Sequence, residues 1–297
     1  MNDRPFRRVG PGSAAPLWAA LYVVMASALF AAMNALAKYL LLPGTGPEIG
    51  VLQITFVRYV FGTLFLLPIL YSARIVPHTV HSVKYAFRAS TGAAGIALMF
   101  LAITHIPLAN AVAISFSSPF FTMVLSILFL GESANRYRLL AAVLGFVGVA
   151  AIAAPDASIF GLASLIAVAA ALCMGAEVTM VKWLTNLGDH AIVMLFFGNM
   201  FGALLTLVPA LPAWVWPEPI QWLILAALAL VVIVGQRLVL HAMALADANF
   251  VAPFMYSTML FSTLVGVLLF DEVPSLTLFF GMALIFASGL LLARFGH

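Results

Sequence analysis

The chain has 297 residues, of which 65% are hydrophobic and 8% are charged, and its mean hydropathy is +1.16. Soluble domains are about half apolar and about a quarter charged, so this composition excludes a soluble fold, and the many large apolar side chains exclude a disordered chain. The net charge of +3 comes without a long basic cluster, which argues against nucleic acid as a partner and for a protein embedded in a membrane.

Ten apolar segments have the length of about 20 residues that a membrane-spanning helix needs. The first follows Arg4, Arg7 and Arg8, as a signal peptide would, but it is too long for a cleaved leader and carries Asn34 and Lys38. We therefore expect a retained helix and an all-α integral membrane protein with ten transmembrane helices. The predicted spans are 17–42, 49–71, 85–104, 107–130, 136–154, 159–183, 190–211, 219–241, 247–270 and 275–294.

Lysine and arginine lie mainly at one end of this predicted bundle, and basic loops face the cytoplasm. The loops at the opposite end carry acidic residues only, and Lys38, near a helix end there, is the one exception. The sequence therefore predicts an inner-membrane protein with both termini cytoplasmic, and we name the two ends the predicted inner end and the predicted outer end. The inner end receives Arg4, Arg7, Arg8, Arg74, Lys84, Arg88, Arg136, Arg138 and Arg294, and the outer end Glu48, Asp156, Glu218, Asp271 and Glu272.

The two halves of the chain resemble each other. Segment 26–40, ASALFAAMNALAKYL, aligns without gaps with segment 170–184, AALCMGAEVTMVKWL, so that Lys38 matches Lys182. Further on, LAN at 108–110 matches DAN at 247–249, and GE at 131–132 matches DE at 271–272 after a slip of one residue. Five helices per half is an odd number, so the second half enters the membrane upside down, as in many secondary transporters. We predict two repeats, residues 1–156 and 157–297.

Three motifs in the first half carry a family resemblance: HIPLANA at 105–111, SPF at 118–120 and LGE at 130–132. Together they resemble the EamA signature of the drug/metabolite transporter superfamily. The second copy, ADANF at 246–250 through FDE at 270–272, is similar, but it lacks the Ser-Pro step and has Asp271 where the family usually has glycine. The resemblance covers essentially the whole chain as two EamA repeats.

This resemblance implies a secondary transporter working by alternating access, most often an exporter of amino acids, here aromatic or neutral ones. S-adenosylmethionine or a drug is the alternative cargo. The sequence contains no HExxH, GxSxG or GxxxxGK motif and no Cys/His cluster, so we expect no enzyme, no cofactor, no metal site and no ATP-driven transport. The expected partners are a small-molecule substrate and membrane lipid, with a monomer as the working state.

Charged side chains deep in a bilayer are costly and therefore mark candidate functional sites. Arg58 is the deepest of them: it is the tenth residue of its predicted span, about 15 Å from the outer edge at the helical rise per residue. It either anchors a carboxylate or phosphate with its parallel donors or braces a neighbouring helix through backbone carbonyls.

Four further polar residues lie inside predicted spans. Asn34 and Lys38 share one helix face, and Lys38 either belongs to a polar site or snorkels to the interface. Glu177 and Arg237 both fall in the inner third of their spans. We expect them to form a pair, which would offset part of their desolvation cost, with a proton-coupling role for Glu177 as the alternative.

A proline interrupts the fourth predicted span at its middle, and hydroxyl groups stand beside it and in the matching stretch of the ninth span. Polar groups at matching depths in the two repeats indicate a midplane substrate site, although such hydroxyls can also bond back to their own helices. The pathway should then run between the halves, lined by spans one, three, four, six, eight and nine, with spans five and ten peripheral. The candidates are Ser115, Ser117, Ser118, Pro119, Tyr256 and Ser257.

The uneven distribution of lysine and arginine between the two ends gives a testable topology. Reporter fusions after His297 and in the loop containing Glu48 should report opposite sides of the membrane, because ten spans separate the first from the N-terminus and one span separates the second. Labelling of both fusions from the same side would contradict the ten-span topology.

Overall fold

The computed structural model describes residues 15–72, 74–75, 77–78, 81–131, 136–153, 160–186, 191–246 and 248–295. No β-strand occurs in these residues. The helices are α1 Ala15–Leu41, α2 Val51–Ser72, α3 Ser82–Ala102, α4 Leu108–Ser115, α5 Ser118–Leu130, α6 Arg136–Ala153, α7 Phe160–Asn186, α8 Ala191–Ala210, α9 Pro219–Leu245, α10 Ala248–Met255, α11 Ser257–Phe270 and α12 Leu276–Phe295.

These helices form the ten predicted transmembrane segments. Eight stretches of helix are long and apolar enough to cross a membrane, counting α4 with α5 as one, and α6 and α12 contain shorter apolar runs at 139–152 and 276–291. The helix ends differ from the predicted span ends by no more than four residues. The expectation of a ten-helix all-α membrane protein is thus confirmed.

Local sequence signals explain where helices begin. At the start of α9, Pro219 occupies the first turn, where a missing backbone N–H costs nothing. Glu218 precedes it as the N-cap residue, and its backbone N–H donates to Oε1 of Gln221 at 3.0 Å while its own side chain caps the first turn. This capping box replaces hydrogen bonds that the chain cannot obtain from lipid.

Two of the ten spans are broken near their middles, as the sequence predicted for the fourth. The fourth span is interrupted at Phe116 and Ser117, just before Pro119, and the ninth is interrupted at Tyr256. The rings of Phe116 and Tyr256 pack with centroids 5.1 Å apart, so the two breaks meet. Irregular backbone at membrane depth is tolerated because it is enclosed by protein here.

The slip of one residue between the repeats has a structural cause. Helix α5 ends at a left-handed Gly131 with φ 69°, and α11 ends at a left-handed Asp271 with φ 51°. These two residues are therefore counterparts, and α11 is one residue longer than α5 between break and cap. Asp271 adopts a conformation that favours glycine, which aspartate tolerates better than most residues.

The contacts between α2 and α8 come in pairs that are related by exchange of the two halves of the chain. A Cβ placed on Gly202 would lie 2.7 Å from the Tyr59 ring, and one placed on Gly62 would meet the side chain of Asn199. The two contacts are equivalent under the repeat, because Tyr59 corresponds to Asn199 and Gly62 to Gly202, each 140 positions apart. Reciprocal contacts of this kind are the signature of a two-fold axis.

The same shift of 140 relates contacts between α6 and α12. A Cβ on Gly145 would lie 3.0 Å from Oγ of Ser288, and a Cβ on Gly148 would lie 2.9 Å from Ile285. Small residues let helices approach closely in lipid, where burial from water does not drive association. This pair packs on α4, α5 and α10 at one side of the bundle, as expected for peripheral spans five and ten.

One contact breaks the symmetry. Helix α4 packs against α11 at the predicted outer end, whereas the symmetry-related helices α5 and α10 lie apart within the described residues. The other main helix pairs each have a counterpart when the two repeats are exchanged. Helix α1 packs on α9 as α7 packs on α3, and α1 packs on α11 as α7 packs on α5. Among the described residues, the outer halves of the two broken spans are therefore packed together.

The α6–α12 contact can be tested by size. We expect Gly148→Val to lower the free energy of unfolding by about 1–3 kcal/mol, because the added methyls overlap Gly281 and Ile285 in a close-packed interface. Thermal unfolding of the purified protein in detergent measures this loss. Val147→Leu, on the exposed face one residue away, is the matched control and should unfold like the unaltered protein.

Candidate functional site

An ion pair joins three elements at the closed outer end. Nζ of Lys38, from α1, bonds Oε1 of Glu272, which follows α11. The same carboxylate accepts the backbone N–H of Leu108, the first residue of α4, at 2.8 and 2.9 Å. Lys38 also lies over the Phe270 ring, 5.1 Å from its centroid. Glu272 thus caps the positive end of α4 and neutralises Lys38 at the same time.

This geometry decides between the two interpretations of Lys38. The side chains of Lys38 and Glu272 are only 13% and 11% exposed, so Lys38 is paired inside the protein and does not snorkel to the interface. Its repeat counterpart Lys182 has a side chain outside the described part of the structure, as does Glu132, the counterpart of Glu272.

A second ion pair lies in the inner half of the bundle, and it corrects the expected pairing of Glu177 with Arg237. Nη2 of Arg88, on α3, donates to Oε1 of Glu177 at 3.0 Å, and Nη1 donates to the carbonyl oxygen of Met194 at 2.6 Å. Arg237 is exposed near the predicted inner end, where its carbonyl oxygen contacts Nδ1 of His241 at 2.8 Å. Arg88 reaches Glu177 because α3 and α7 pack closely through Gly92.

Sequence reasoning counted Arg88 among the inner-end charges and missed its role. It is only 7% exposed and lies within α3, six residues after the start at Ser82. Its position as the fourth residue of the predicted span was the available signal. Leu228, 140 positions after Arg88, is the counterpart of Arg88 in the other repeat. Helices α1 and α7 are related by a shift of 144 positions, so Met33 is the counterpart of Glu177. The symmetry-related contact between α9 and α1 therefore has no such charge pair, and the fold alone does not require it.

Arg58 is the buried cation without an acidic partner in the described chain. It is 6% exposed and lies on the buried face of α2, a helix that packs against α8 and α9. Its Cζ lies 4.7 Å from the centroid of the Tyr59 ring. Nε and Nη1 have no hydrogen-bond partner among the described residues, so the bracing role through backbone carbonyls is not seen for these atoms.

Asn34 is a second buried residue with an unpaired hydrogen-bonding atom among the described residues. It is 7% exposed on α1, and its Oδ1 accepts no hydrogen bond within the described chain. Asn34 lies seven residues before the end of α1 at Leu41, and Arg58 lies seven residues after the start of α2 at Val51. Each residue is therefore about 10 Å along its own helix from the predicted outer end of that helix.

The hydroxyls at the helix breaks are mostly bound locally, as in the alternative in which they bond back to their own helices. Ser115 donates to Val112, Ser117 to Ile114 and Ser257 to Phe254, each through a carbonyl oxygen of its own span.

The remaining candidates at the breaks have packing roles. Ser118 begins α5, with Pro119 in its first turn, and the Ser118 carbonyl oxygen lies against Gly175 of α7. Tyr256 turns its ring away from α1 and toward α12, where it packs on Phe286 at 5.6 Å between centroids. A small cavity beside Tyr256 is lined by α5, α6 and α12 and lies on the peripheral side of the breaks.

The fold and the charged residues define a class of protein: a helical membrane bundle of two inverted five-helix repeats with broken spans at its centre, which is the architecture of secondary transporters. The model of the EamA-like transporter family matches residues 17–154 and 161–294, and the chain belongs to this family. The family resemblance seen in the sequence is confirmed.

Relatives with curated functions match along nearly the whole chain. A riboflavin transporter of Vibrio cholerae is 31% identical over 277 residues, 92% of this chain and 92% of the relative. A pseudopaline exporter of Pseudomonas aeruginosa is 30% identical over 282 residues, covering 92% and 95%. An S-adenosylmethionine uptake transporter of Rickettsia conorii is 26% identical over 275 residues, covering 90% and 88%. The protein is accordingly a multi-pass transporter of small molecules.

One solved structure, described only as that of a protein, superposes on this fold with a TM-score of 0.62. It covers 95% of this chain and 98% of its own, with 18% identity. At that identity the match shows the shared fold alone.

The outer ion pair should be strongly coupled. We expect Lys38→Met and Glu272→Gln each to lower the free energy of unfolding by as much as about 3–5 kcal/mol, because each leaves the other partner buried without compensation. The double variant should lose clearly less than the sum of the two. Thermal unfolding of the four proteins measures the coupling, and strictly additive losses would show that the pair contributes nothing.

Proposed function

We propose that this protein is a secondary transporter that moves a small metabolite by alternating access, with export of aromatic or neutral amino acids as the leading assignment. The observation that supports it is the broken symmetry of the bundle. Helices α4 and α11 pack together at the predicted outer end, whereas among the described residues no comparable contact joins α5 and α10. In a two-fold related fold, exchange of these two arrangements opens one end as it closes the other.

In this motion, the ion pair between Lys38 and Glu272 would hold the predicted outer end closed until it breaks. Glu272 links α1, α4 and the end of α11, so these elements separate only when Lys38 and the N–H of Leu108 exchange the carboxylate for water or another partner. The repeat places Lys182 and Glu132 at the corresponding sequence positions in the other half. We propose that they form the equivalent contact when the inner end closes.

The driving force would be a solute gradient or exchange, since the sequence contains no phosphate-binding loop of the GxxxxGK type. The Arg88–Glu177 pair in the inner half is one place where protonation of a carboxylate could be linked to transport, because Glu177 is partly exposed at 29%. Such coupling would require the pair to separate during the cycle, because Arg88 holds the Glu177 carboxylate at 3.0 Å.

A second candidate cargo is riboflavin, and a specific observation favours it: two riboflavin transporters, of Vibrio cholerae and Brucella anthropi, are 31% and 30% identical over more than nine-tenths of this chain. Riboflavin carries neither a carboxylate nor an ammonium group, whereas amino acids carry both. The two assignments therefore demand different polar groups from the protein.

A locking experiment in proteoliposomes tests the proposal. Ala109 of α4 and Val267 of α11 line one small cavity at the closed outer end. On a Cys173→Ala background, cross-linking of Ala109→Cys to Val267→Cys should stop the flux of radiolabelled phenylalanine, S-adenosylmethionine or riboflavin, whichever is carried, and reduction should restore it.

The matched control joins helices that we expect to move together. The Cβ–Cβ distance between Gly145→Cys and Ser288→Cys would be close to 3.6 Å, which suits a disulfide, and this bond should leave flux unchanged. Continued flux through a fully cross-linked outer end would refute alternating access at this interface. Absence of flux for all three compounds in the unlocked protein would refute the proposed range of cargo.

A further inference from the structure

Two arginines from different helices are connected by contacts along one face of α8. A Cβ placed on Gly198 would meet the guanidinium group of Arg88. One turn further along α8, a Cβ placed on Gly202 would lie 2.7 Å from the Tyr59 ring. Cζ of Arg58 lies 4.7 Å from the centroid of the same ring. A continuous series of contacts therefore runs from Arg88 on α3 to Arg58 on α2.

One carboxylate completes this group of side chains. Oε1 of Glu177, on α7, lies 3.0 Å from Nη2 of Arg88. The Tyr59 hydroxyl interacts electrostatically with Glu177 and with both arginines. Glu177 is the only acidic residue within the bounds of the described helices. The four residues Arg58, Tyr59, Arg88 and Glu177, which we name the central cluster, therefore combine two guanidinium groups with a single carboxylate.

The central cluster also has unpaired hydrogen-bond donors. Nε and Nη1 of Arg58 and Nε of Arg88 are buried and have no partner among the described residues. Burial of a charge without a partner is costly, and the ring of Tyr59 offers only partial compensation. The fold does not require this arginine, since Gly198 is the counterpart of Arg58 in the other repeat. The excess positive charge and the unpaired donors both fit an anionic ligand.

The central cluster has one accessible edge. The Glu177 side chain is 29% exposed, although its carboxyl group lies against Gly92 of α3. Arg58 and Arg88 are only 6% and 7% exposed. Helices α2 and α7 both contribute to the cluster, yet they share no extensive packed interface in the described part of the chain. A ligand would therefore reach the two arginines past Glu177.

We propose that the central cluster binds a carboxylate of the transported molecule, with Arg58 as its principal donor and Glu177 as the competing carboxylate that occupies Arg88. A guanidinium group can offer a carboxylate two parallel N–H donors, and one bound carboxylate would balance the excess charge of the cluster. This inference rests on the proposed transport function and narrows it to cargo with a carboxylate. Amino acids meet this condition and riboflavin does not.

Direct binding tests the inference without relying on transport. The probes are 3-phenylpropionate, its neutral isostere 3-phenylpropanamide, and L-phenylalanine, and isothermal titration calorimetry on the purified protein in detergent measures their affinities. We expect the two carboxylates to bind and the amide to bind at least about 10-fold more weakly, because a neutral group forms weaker hydrogen bonds with a guanidinium group than a carboxylate does.

Variants of the cluster give opposite expectations for its two kinds of charge. Arg58→Gln should weaken 3-phenylpropionate by about 10–150-fold, the range for a lost hydrogen bond to a charged group, and leave 3-phenylpropanamide unchanged. Arg58→Lys should recover only part of the loss, because lysine lacks the planar fork. Glu177→Gln should shift 3-phenylpropionate toward tighter binding, since it removes the competing carboxylate, and weaker binding in this variant would refute the competition.

Arg136→Gln is the matched control, because Arg136 is exposed and stacks on Tyr137 outside the cluster, so affinity should not change. Thermal unfolding of each variant separates binding from bracing: a less stable Arg58→Gln protein that binds 3-phenylpropionate normally would overturn the inference. Equal affinity for 3-phenylpropionate and its amide, or no binding of either carboxylate, would also overturn it.

The flux experiment separates this inference from the transport proposal. Flux of riboflavin in a protein that binds neither carboxylate would overturn the inference and leave transport standing. Carboxylate binding in a protein that carries none of the tested compounds would refute the role of the central cluster in transport.

Discussion

The two-fold relation between the repeats is the constraint on which the rest of this structure depends. In lipid, apolar burial does not hold helices together, so the bundle relies on close backbone approach at small residues. The contacts of Tyr59 with Gly202 and of Asn199 with Gly62 satisfy this need twice with one geometry. Because each contact has a partner, any single rearrangement at one end of the bundle has an equivalent at the other end.

The charged residues are placed where this symmetry fails. Lys38 and Glu272 bond across the end at which α4 and α11 pack together, and Arg88 and Glu177 bond where the symmetry-related positions are Leu228 and Met33. A symmetric scaffold by itself does not distinguish the two sides of the membrane. Within the described helices, Arg58, Arg88 and Glu177 are charged residues whose repeat counterparts, Gly198, Leu228 and Met33, are uncharged.

Some of the site followed from the sequence, and some did not. Arg58 and Asn34 were identified because a cation or an amide inside a 20-residue apolar run is costly wherever it points. The partners of Glu177 and Lys38 could not be identified in this way. Arg88 and Glu177 are 89 positions apart, and Lys38 and Glu272 are 234 apart, so only the packing of α3 on α7 and of α1 on α11 brings them together.

The sequence by itself determined the membrane class, the ten helices, the break near Pro119 and the repeat, because span length, hydropathy and helix-breaking residues act locally along the chain. The tertiary structure alone decided that α4 packs on α11, that the serines at the breaks bond to their own spans, and that Arg58 and Asn34 keep free hydrogen-bonding atoms. These properties depend on distances between helices far apart in sequence, and the pattern of apolar residues along any one helix does not encode such distances.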